Sequence, residues 1–490
     1  MLADFKVLAA LPFAILLLWA VFAFFRTPAR FRAIALPLGI QIAVVFALGA
    51  YVHLEGPLVI NLAAARLPAG MMLRIDGLAV VLAAVTTLVI SACAVYSLSY
   101  FQLHRFRQTK TLARERFFWP FLAILWSGLL LLWISADLLS TYLALEMLGL
   151  SAAAMMVLPE RAEAVTAGLR YLFLMLLGSL CYLLGAGIYY GIYGHIDLAG
   201  LARAATPGTI HFIAMALMSA GLMLKAAVFP LHAWLPSAHS HAWAPVSAIH
   251  AALVVKGSFF VFVKLWMTLM PQAIAAAQLI GLAGTVAVVW GGLMALRKQE
   301  VKQIVAYSTM AQLGYLLLVF PLMAGTGEQA AQLAWQGTWL HFISHAFAKA
   351  AMFLSVGNLV LAMGRGDLEG LSGVDNYLPF SLLVFGLAAI NIIGLPLSGG
   401  FTAKWLLLHS AMLSGQWQWV VVLSAGTLLG AAYIFRIFKH ALAAGKETDI
   451  YGHLPLKKEL VAFLLALAAV FLGLFAKWPL MLITPVGGGP

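Results

Sequence analysis

The stretch GLMLKAAVFPLHAWLPSAHSHAWAP, Gly221 to Pro245, decides how the chain is read. It opens as an apolar helix, carries Lys225 within the apolar run, and then meets Pro230 and Pro236. Proline removes a backbone donor and breaks a helix. A second stretch, NIIGLPLSGGFTAKWLLLHSAM from Asn391 to Met412, has the same form: Pro396 and Ser398-Gly399-Gly400 interrupt the run, and Lys404 follows. In lipid a broken helix is tolerated only where protein or water satisfies the freed carbonyls. Paired interruptions at corresponding positions of two halves point to a transport pathway.

The surrounding composition places both breaks in a membrane. Apolar residues make up 64% of the 490 and charged residues 9%, against roughly 25% charged in a soluble chain. The net charge of +12 does not indicate nucleic acid, because the basic residues sit in short clusters between apolar runs. Examples are Arg26, Arg30 and Arg32, or Arg105, Arg107, Lys110, Arg114 and Arg116. Cys93 and Cys181 both lie inside apolar runs and provide neither a disulfide framework nor a metal spacing. No metal, cofactor or redox centre is expected in this chain.

Counting apolar runs of span length gives about fourteen helices. They fall near 7–25, 33–52, 76–101, 117–135, 138–158, 166–193, 211–231, 244–269, 272–296, 302–323, 331–362, 378–396, 416–440 and 459–483. The first is read as an uncleaved span, since the arginines after it outweigh Lys6. Loops after spans 1, 3, 9 and 13 hold most of the lysine and arginine, including Arg297, Lys298, Lys446, Lys457 and Lys458. The positive-inside bias then puts those loops in the cytoplasm and both termini outside, in a multi-pass protein of the cell (inner) membrane. The breaks in spans 7 and 12 suggest two five-helix repeats. The division is a three-helix segment at 1–116, repeats at 117–270 and 271–440, and a C-terminal helix and tail at 441–490. The tail Gly487-Gly488-Gly489-Pro490 is expected to be disordered.

Several titratable residues fall well inside spans: Glu146 on span 5, Lys225, His250 and Lys256 on span 8, His341, His345 and Lys349 on span 11, and Lys404. A charge at the bilayer centre costs about 2.5–3.5 kcal/mol on insertion scales. Such groups must face water, partners or one another. Any one of them could simply glue helices by a hydrogen bond, and His250 is as well explained that way. The lysines are harder to explain so, because Glu146 is the one deeply placed acid. His341, His345 and Lys349 recur every fourth residue, so they share a helix face over about 12 Å of axis. A Glu–Lys pair at about 6 Å in an effective dielectric near 20 interacts by about 2.8 kcal/mol. Moving a charge against 100 mV costs about 2.3 kcal/mol. Switching one ion pair is therefore enough, in magnitude, to drive a proton.

Three blocks carry a family resemblance: KAAVFPLHAWLPSAHSHAWAPVSAIHAALVVK (Lys225 to Lys256), EVKQIVAYSTMAQLGYLLL (Glu300 to Leu318) and HFISHAFAKAAMFLSVGN (His341 to Asn358). They resemble the antiporter-like proton-translocating subunits of respiratory complex I, Mrp-type antiporters and membrane-bound hydrogenases, over about spans 3 to 13. The context SGGFTAKW is most similar to the Mrp D-type and the quinone-proximal complex I type. The resemblance implies an all-α polytopic membrane protein of fourteen helices with two inverted five-helix repeats and broken helices 7 and 12. It implies an input half-channel with Glu146 and Lys225, a link at Lys256 with His250, a central axis of His341, His345 and Lys349, and a terminal group at Lys404. Arg170 matches a basic position on span 6, with snorkelling to the surface as the plain alternative. Ser237 stands where the family commonly has an acid, and the run His239-Ser240-His241-Ala242-Trp243 departs from the pattern. The implied partners are other membrane subunits, lipid and protons, with sodium as a further ion; any redox chemistry would belong to those subunits. The competing readings are a stand-alone transporter of a small solute or ion and a purely structural subunit.

Overall fold

The computed structural model describes residues 2–25, 31–61, 71–107, 112–444 and 456–483. The expectations for the Arg26–Arg30 cluster, Lys110, Lys446 and the Gly487–Pro490 tail lie outside the described residues. Helices α1 (Leu2–Phe25), α2 (Phe31–Glu55) and α3 (Gly77–Arg107) form the N-terminal segment, α1 packing on the later α4 and α2 on α3. Between α2 and α3 lies an antiparallel hairpin, β1 (Leu58–Asn61) with β2 (Met72–Ile75), Leu58 opposite Ile75. This hairpin is an addition to the all-helical expectation. The Asp137 carboxylate ties it to the bundle by accepting the Met72 N–H at 2.8 Å.

The next helices are α4 (Leu112–Ile134), α5 (Leu138–Met156), α6 (Ala162–Tyr193), the short α7 (Leu198–Ala204), α8 (Thr209–Lys225) and α9 (Trp234–His241). Then α10 (Ala244–Ile249) runs through a π-helical turn, His250–Val254, into α11 (Val255–Leu269). The second set comprises α12 (Ile274–Arg297), α13 (Val301–Leu316), the short α14 (Val319–Met323), α15 (Glu328–Met363), the short α16 (Val374–Tyr377), α17 (Pro379–Ile393), α18 (Gly399–Leu413) and α19 (Trp417–Ala441). Helices α20 (Leu456–Phe471) and α21 (Lys477–Ile483) follow.

Ten helices among the described residues have the length and apolarity to cross a membrane. Four shorter apolar helices, Ala10–Phe25, Thr209–Lys225, Pro379–Ile393 and Glu459–Phe471, occupy the first, seventh, twelfth and fourteenth expected spans.

Both breaks are present, with differences in detail. In the seventh span the helix stops at Lys225 and resumes at Trp234, so Pro230 lies in the gap while Pro236 sits in the first turn of α9. An early-turn proline costs nothing there, because those N–H groups have no helical partner. The twelfth span continues past the gap through α18 to Leu413. The last span stops at Phe471 and restarts as α21, because Gly473 passes directly against the second break. A Cβ on Gly473 would lie 2.4 Å from the Leu397 carbonyl. Each gap holds a non-glycine residue in the left-handed region, Ala227 at φ 53° and Leu397 at φ 75°.

The two repeats are recorded in matching contacts. Bridge pairs join Asp137 to Asp197 and Glu300 to Asp367. Asp137 and Glu300 are the N-caps of α5 and α13. The Lys264 ammonium, near the end of α11, donates to the Ser135 carbonyl, and Arg436, near the end of α19, donates to the Lys298 carbonyl at 2.6 Å. Ser135 and Lys298 each stand two residues before their N-cap acid. Five crossings is an odd number, so the second repeat begins on the opposite face and runs inverted. One face carries the hairpin; the other carries Arg114, Arg161, Arg297, Lys298, Arg365 and Arg436 at helix ends and is called the basic face below.

The interior is filled by α10–α11 and α15. Every residue from Gly337 to Leu359 is buried, as is every residue from Ala242 to Val263. A helix buried all round needs no amphipathic stripe, and its polar residues must find partners inside the bundle. Glycines let neighbouring backbones close up: a Cβ on Gly178 of α6 would meet the Gly221 carbonyl of α8 at 2.8 Å and the Lys225 stem at 3.1 Å. Small residues serve this purpose between membrane helices. Gly178→Ala should therefore cost about 1–3 kcal/mol of stability. Gly149→Ala, whose methyl meets neighbours only at 3.7 Å, should be neutral or stabilising. Thermal midpoints in mild detergent test the pair, and a Gly178→Ala protein as stable as the parent would refute the close-packing account.

Candidate functional site

Lys225 is the last residue of α8, in the turn where a cation is favoured by the helix dipole. Its ammonium lies 3.8 Å from the Glu146 carboxylate on α5, with side chains 3% and 18% exposed respectively. Gly149 and Gly178 line the slot, where any larger residue would approach the lysine. At this distance an effective dielectric near 20 gives an attraction of about 4 kcal/mol. The separation is shorter than the sequence estimate assumed.

Inward from the pair stands Tyr171 of α6, packed edge-on to Trp234 at 4.9 Å and to His250 at 5.5 Å between centroids. Glu146 lies within electrostatic reach of the Tyr171 hydroxyl. His250 opens the π-turn and faces His239 at 6.2 Å. In a π-turn the N–H bonds five residues back, which rotates the following residues relative to a regular helix. Lys256 follows that turn, and its ammonium takes the Phe342 carbonyl at 3.2 Å and lies 5.2 Å from the Phe342 ring.

On α15 the four-residue spacing puts three groups on one stripe. The rings of His341 and His345 are parallel at 5.7 Å. Lys349 donates to the Val305 carbonyl at 3.0 Å and to the Ser308 hydroxyl, both on α13. Toward the second break, the Tyr315 ring packs on His341 at 5.7 Å and lies under the Lys404 ammonium at 4.7 Å. Lys404 also takes the Ile392 and Ile393 carbonyls at 2.9 and 3.0 Å. Those carbonyls end α17 and have no helical partner of their own.

The eight residues singled out from the sequence thus lie in the interior or, for Glu146, at its edge. Three of the four lysines, Lys256, Lys349 and Lys404, have no carboxylate within ion-pair distance among the described residues. His239, His250 and His345 have no hydrogen-bond partner on either ring nitrogen among the described residues. Arg170 is exposed on α6, as expected of a snorkelling residue. Ser237 donates to the Trp234 carbonyl at 3.0 Å within α9.

Tyr171, Tyr315 and Ser308 join the site without a signal in the sequence. Each sits in an ordinary-looking apolar run, and a tyrosine or serine inside a span carries no cost large enough to draw attention. His239 was visible only as a departure from the family pattern, yet it is buried and stacked on Phe353 at 4.8 Å. Beyond it, a cavity of about 480 Å³ opens at the basic face, lined by Arg161, His241, Glu300, Lys302, Arg365 and Asp367, among others.

Known proteins share this fold. Residues 135–430 match the family described as NADH:quinone oxidoreductase/Mrp antiporter, TM. The NADH-quinone oxidoreductase subunit N of Desulforudis audaxviator is 32% identical over 384 residues, covering 77% of this chain and 74% of its own. The fold superposes on a chain of the Mrp complex from Dietzia sp. with a TM-score of 0.85 at 22% identity, covering 97% of this chain and 96% of the other. It likewise superposes on a chain of the archaeal membrane-bound sulfane sulfur reductase, with a TM-score of 0.84 at 24% identity and coverage of 97% and 96%. A polytopic helical bundle with two inverted repeats, two broken helices and a buried line of lysines and histidines is thereby joined to a family match over more than half its length: the chain belongs to the NADH:quinone oxidoreductase/Mrp antiporter transmembrane family.

Proposed function

We propose that this chain is the proton-translocating subunit of a multisubunit membrane complex of the complex I, Mrp or hydrogenase kind. The observation that carries the reading is the set of three buried lysines held by carbonyls and a hydroxyl instead of acids. A subunit that used its charges as glue would pair them one to one. An ammonium held by neutral acceptors has no fixed counter-ion, so its proton is free to leave when a neighbouring charge changes. Lysine and histidine in line also favour H⁺ over Na⁺ as cargo, since sodium requires oxygen ligands.

Glu146 and Lys225 serve as the input pair of 117–270, Lys256 with His250 as the link, and His341, His345 and Lys349 as the axis. Lys404 then serves as the terminal group of 271–440. The unpartnered ring nitrogens of His239, His250 and His345 call for water, because buried polar atoms are satisfied by protein or by ordered water. Water between these rings would complete a hydrogen-bonded line from Tyr171 to Tyr315. The cavity at the basic face offers a place of uptake; its Asp367 carboxyl is held below the usual carboxylate range by hydrogen bonds from Arg365. Taking the basic face as cytoplasmic places both termini outside the cell membrane.

The driving input must favour one state of the Glu146–Lys225 pair over the other by a few kcal/mol. The partial exposure of Glu146 on the α5–α6–α8 flank fits a neighbouring subunit docking there and supplying it. Lys349→Ala should abolish proton transport while the complex still assembles, because a small apolar residue is well tolerated in a bundle. Normal pumping by an assembled Lys349→Ala complex would remove that residue from the path. The purified single chain, placed in proteoliposomes with an imposed pH gradient, should be silent and gain activity only with its partners. Rapid, saturable cation exchange by the isolated chain would instead establish a stand-alone transporter.

A further inference from the structure

Helix α11 carries Lys256, Phe260 and Lys264 at four-residue intervals on one face, so the two lysines stand about 12 Å apart along the axis. They are drawn in opposite directions. Lys256 reaches inward to the Phe342 carbonyl of α15. Lys264 reaches to the Ser135 carbonyl at the hairpin face, where it is partly exposed. Phe260 lies between them, its ring 5.4 Å from the Lys264 ammonium.

Phe260 belongs to a closed ring of four aromatic side chains. Trp133 packs on Phe260 at 5.1 Å, Phe260 on Trp339 at 6.0 Å, Trp339 on Phe342 at 5.5 Å, and Phe342 back on Trp133 at 6.0 Å. All four are buried. The Lys256 ammonium borders the cluster at Phe342 and the Lys264 ammonium at Phe260. We infer that Trp133, Phe260, Trp339 and Phe342 form a water-excluding seal that closes the direct path from Lys256 to the hairpin face. A proton on Lys256 is thereby left with the route along α15.

The chemistry of these side chains supports a barrier. Proton transfer needs donors and acceptors in hydrogen-bond contact, about 2.6–3.2 Å apart. Phenylalanine offers neither, and an indole N–H donates but does not accept. The Trp133 N–H is committed to the Thr86 hydroxyl at 2.9 Å; the Trp339 N–H has no partner among the described residues, and as a donor without acceptor capacity it cannot relay a proton. Lys264 lies about two helical turns from Lys256 and is partly exposed, so without a seal it would offer a proton on Lys256 a way out. The second repeat sharpens the point. Arg436 there matches Lys264, but four and eight residues earlier stand Ala432 and Leu428. The aromatic residue occurs only in the repeat whose equivalent position holds a buried lysine.

This inference rests on the proton-translocating reading above and is tested without the driving reaction. Assembled complex in proteoliposomes would be given a potassium diffusion potential with valinomycin, and passive proton entry followed with an internal pH dye. Phe260→Asn should raise passive flux about tenfold or more, and Phe260→Leu, which keeps an apolar plug, should hold it low. Adding Lys256→Gln to Phe260→Asn should return the flux toward the parent value, because the leak runs through that lysine. Trp339→Gln, opening the cluster from α15, gives a second route to the result should Phe260→Asn fail to assemble. Assembled Phe260→Asn or Trp339→Gln complex with parental flux would overturn the seal, as would a leak indifferent to Lys256→Gln. Failure of the underlying reading would show separately, as absent driven transport in the parent complex.

Discussion

A lysine ammonium buried among apolar helices must find acceptors, and the two broken helices help to supply them. A helix leaves its last four carbonyls without intrahelical partners, and in hydrocarbon such groups cost several kcal/mol each when unsatisfied. At the second break the Ile392 and Ile393 carbonyls are in this position, and Lys404 takes both. Each side satisfies the other: the break makes room for the charge, and the charge makes the break tolerable. At the first break Lys225 sits on the terminal turn of α8, where the carbonyl dipoles favour a cation, with Glu146 as its counter-ion. The left-handed residues Ala227 and Leu397 carry the local strain, of order 1–3 kcal/mol each, that the surrounding packing holds in place.

The inverted repeat then sets where these groups meet. Lys264 and Arg436 make equivalent contacts to Ser135 and Lys298 on opposite faces, and each fixes the fifth helix of its repeat to the turn before the second. With the outer contacts matched, the differences fall in the interior. The first repeat has a buried lysine after a π-turn on α11; the second has Leu428 and Ala432 at the corresponding positions of α19. Helix α15 faces both halves: its Phe342 carbonyl accepts from Lys256 of the first repeat, while Lys349 reaches Val305 and His341 packs on Tyr315 of the second. A scaffold built twice thus carries a line of titratable groups built once.

Magnitudes connect this geometry to work. An attraction of about 4 kcal/mol within the Glu146–Lys225 pair exceeds the roughly 2.3 kcal/mol needed to move a charge against 100 mV. The pair is also placed where an outside influence can reach it, because Glu146 is partly exposed on the flank of the bundle while Lys225 faces inward. Among the described residues the deeper groups have no counter-ions of their own, so a change at the pair would be felt by them without competing local charge. Aromatic packing around Phe260 limits where that influence can send a proton.

Much of this was legible in the chain itself. An apolar content of 64% admits only a membrane bundle, because no soluble fold of this length could cover such surface. Proline with a second proline or a Ser-Gly-Gly run close by inside an apolar run marks a break, so the positions near Pro230 and Pro396 were legible, whereas the lone Pro12, Pro37 and Pro120 stay within continuous helices. The spacing of His341, His345 and Lys349 fixed a shared helix face, since helical periodicity is local. Contacts between helices were a different matter. The pairing of Glu146 with Lys225 was expected, and its distance of 3.8 Å was not; that Lys404 meets carbonyls instead of an acid, and that Tyr171 and Tyr315 join the line, depend on how distant spans are rotated and stacked. The same holds for the four-ring cluster that includes Phe260, drawn from three helices. Rotation about a helix axis is decided by packing across the whole bundle, where close glycine contacts such as Gly178 on Gly221 set the spacing, and no single span encodes it.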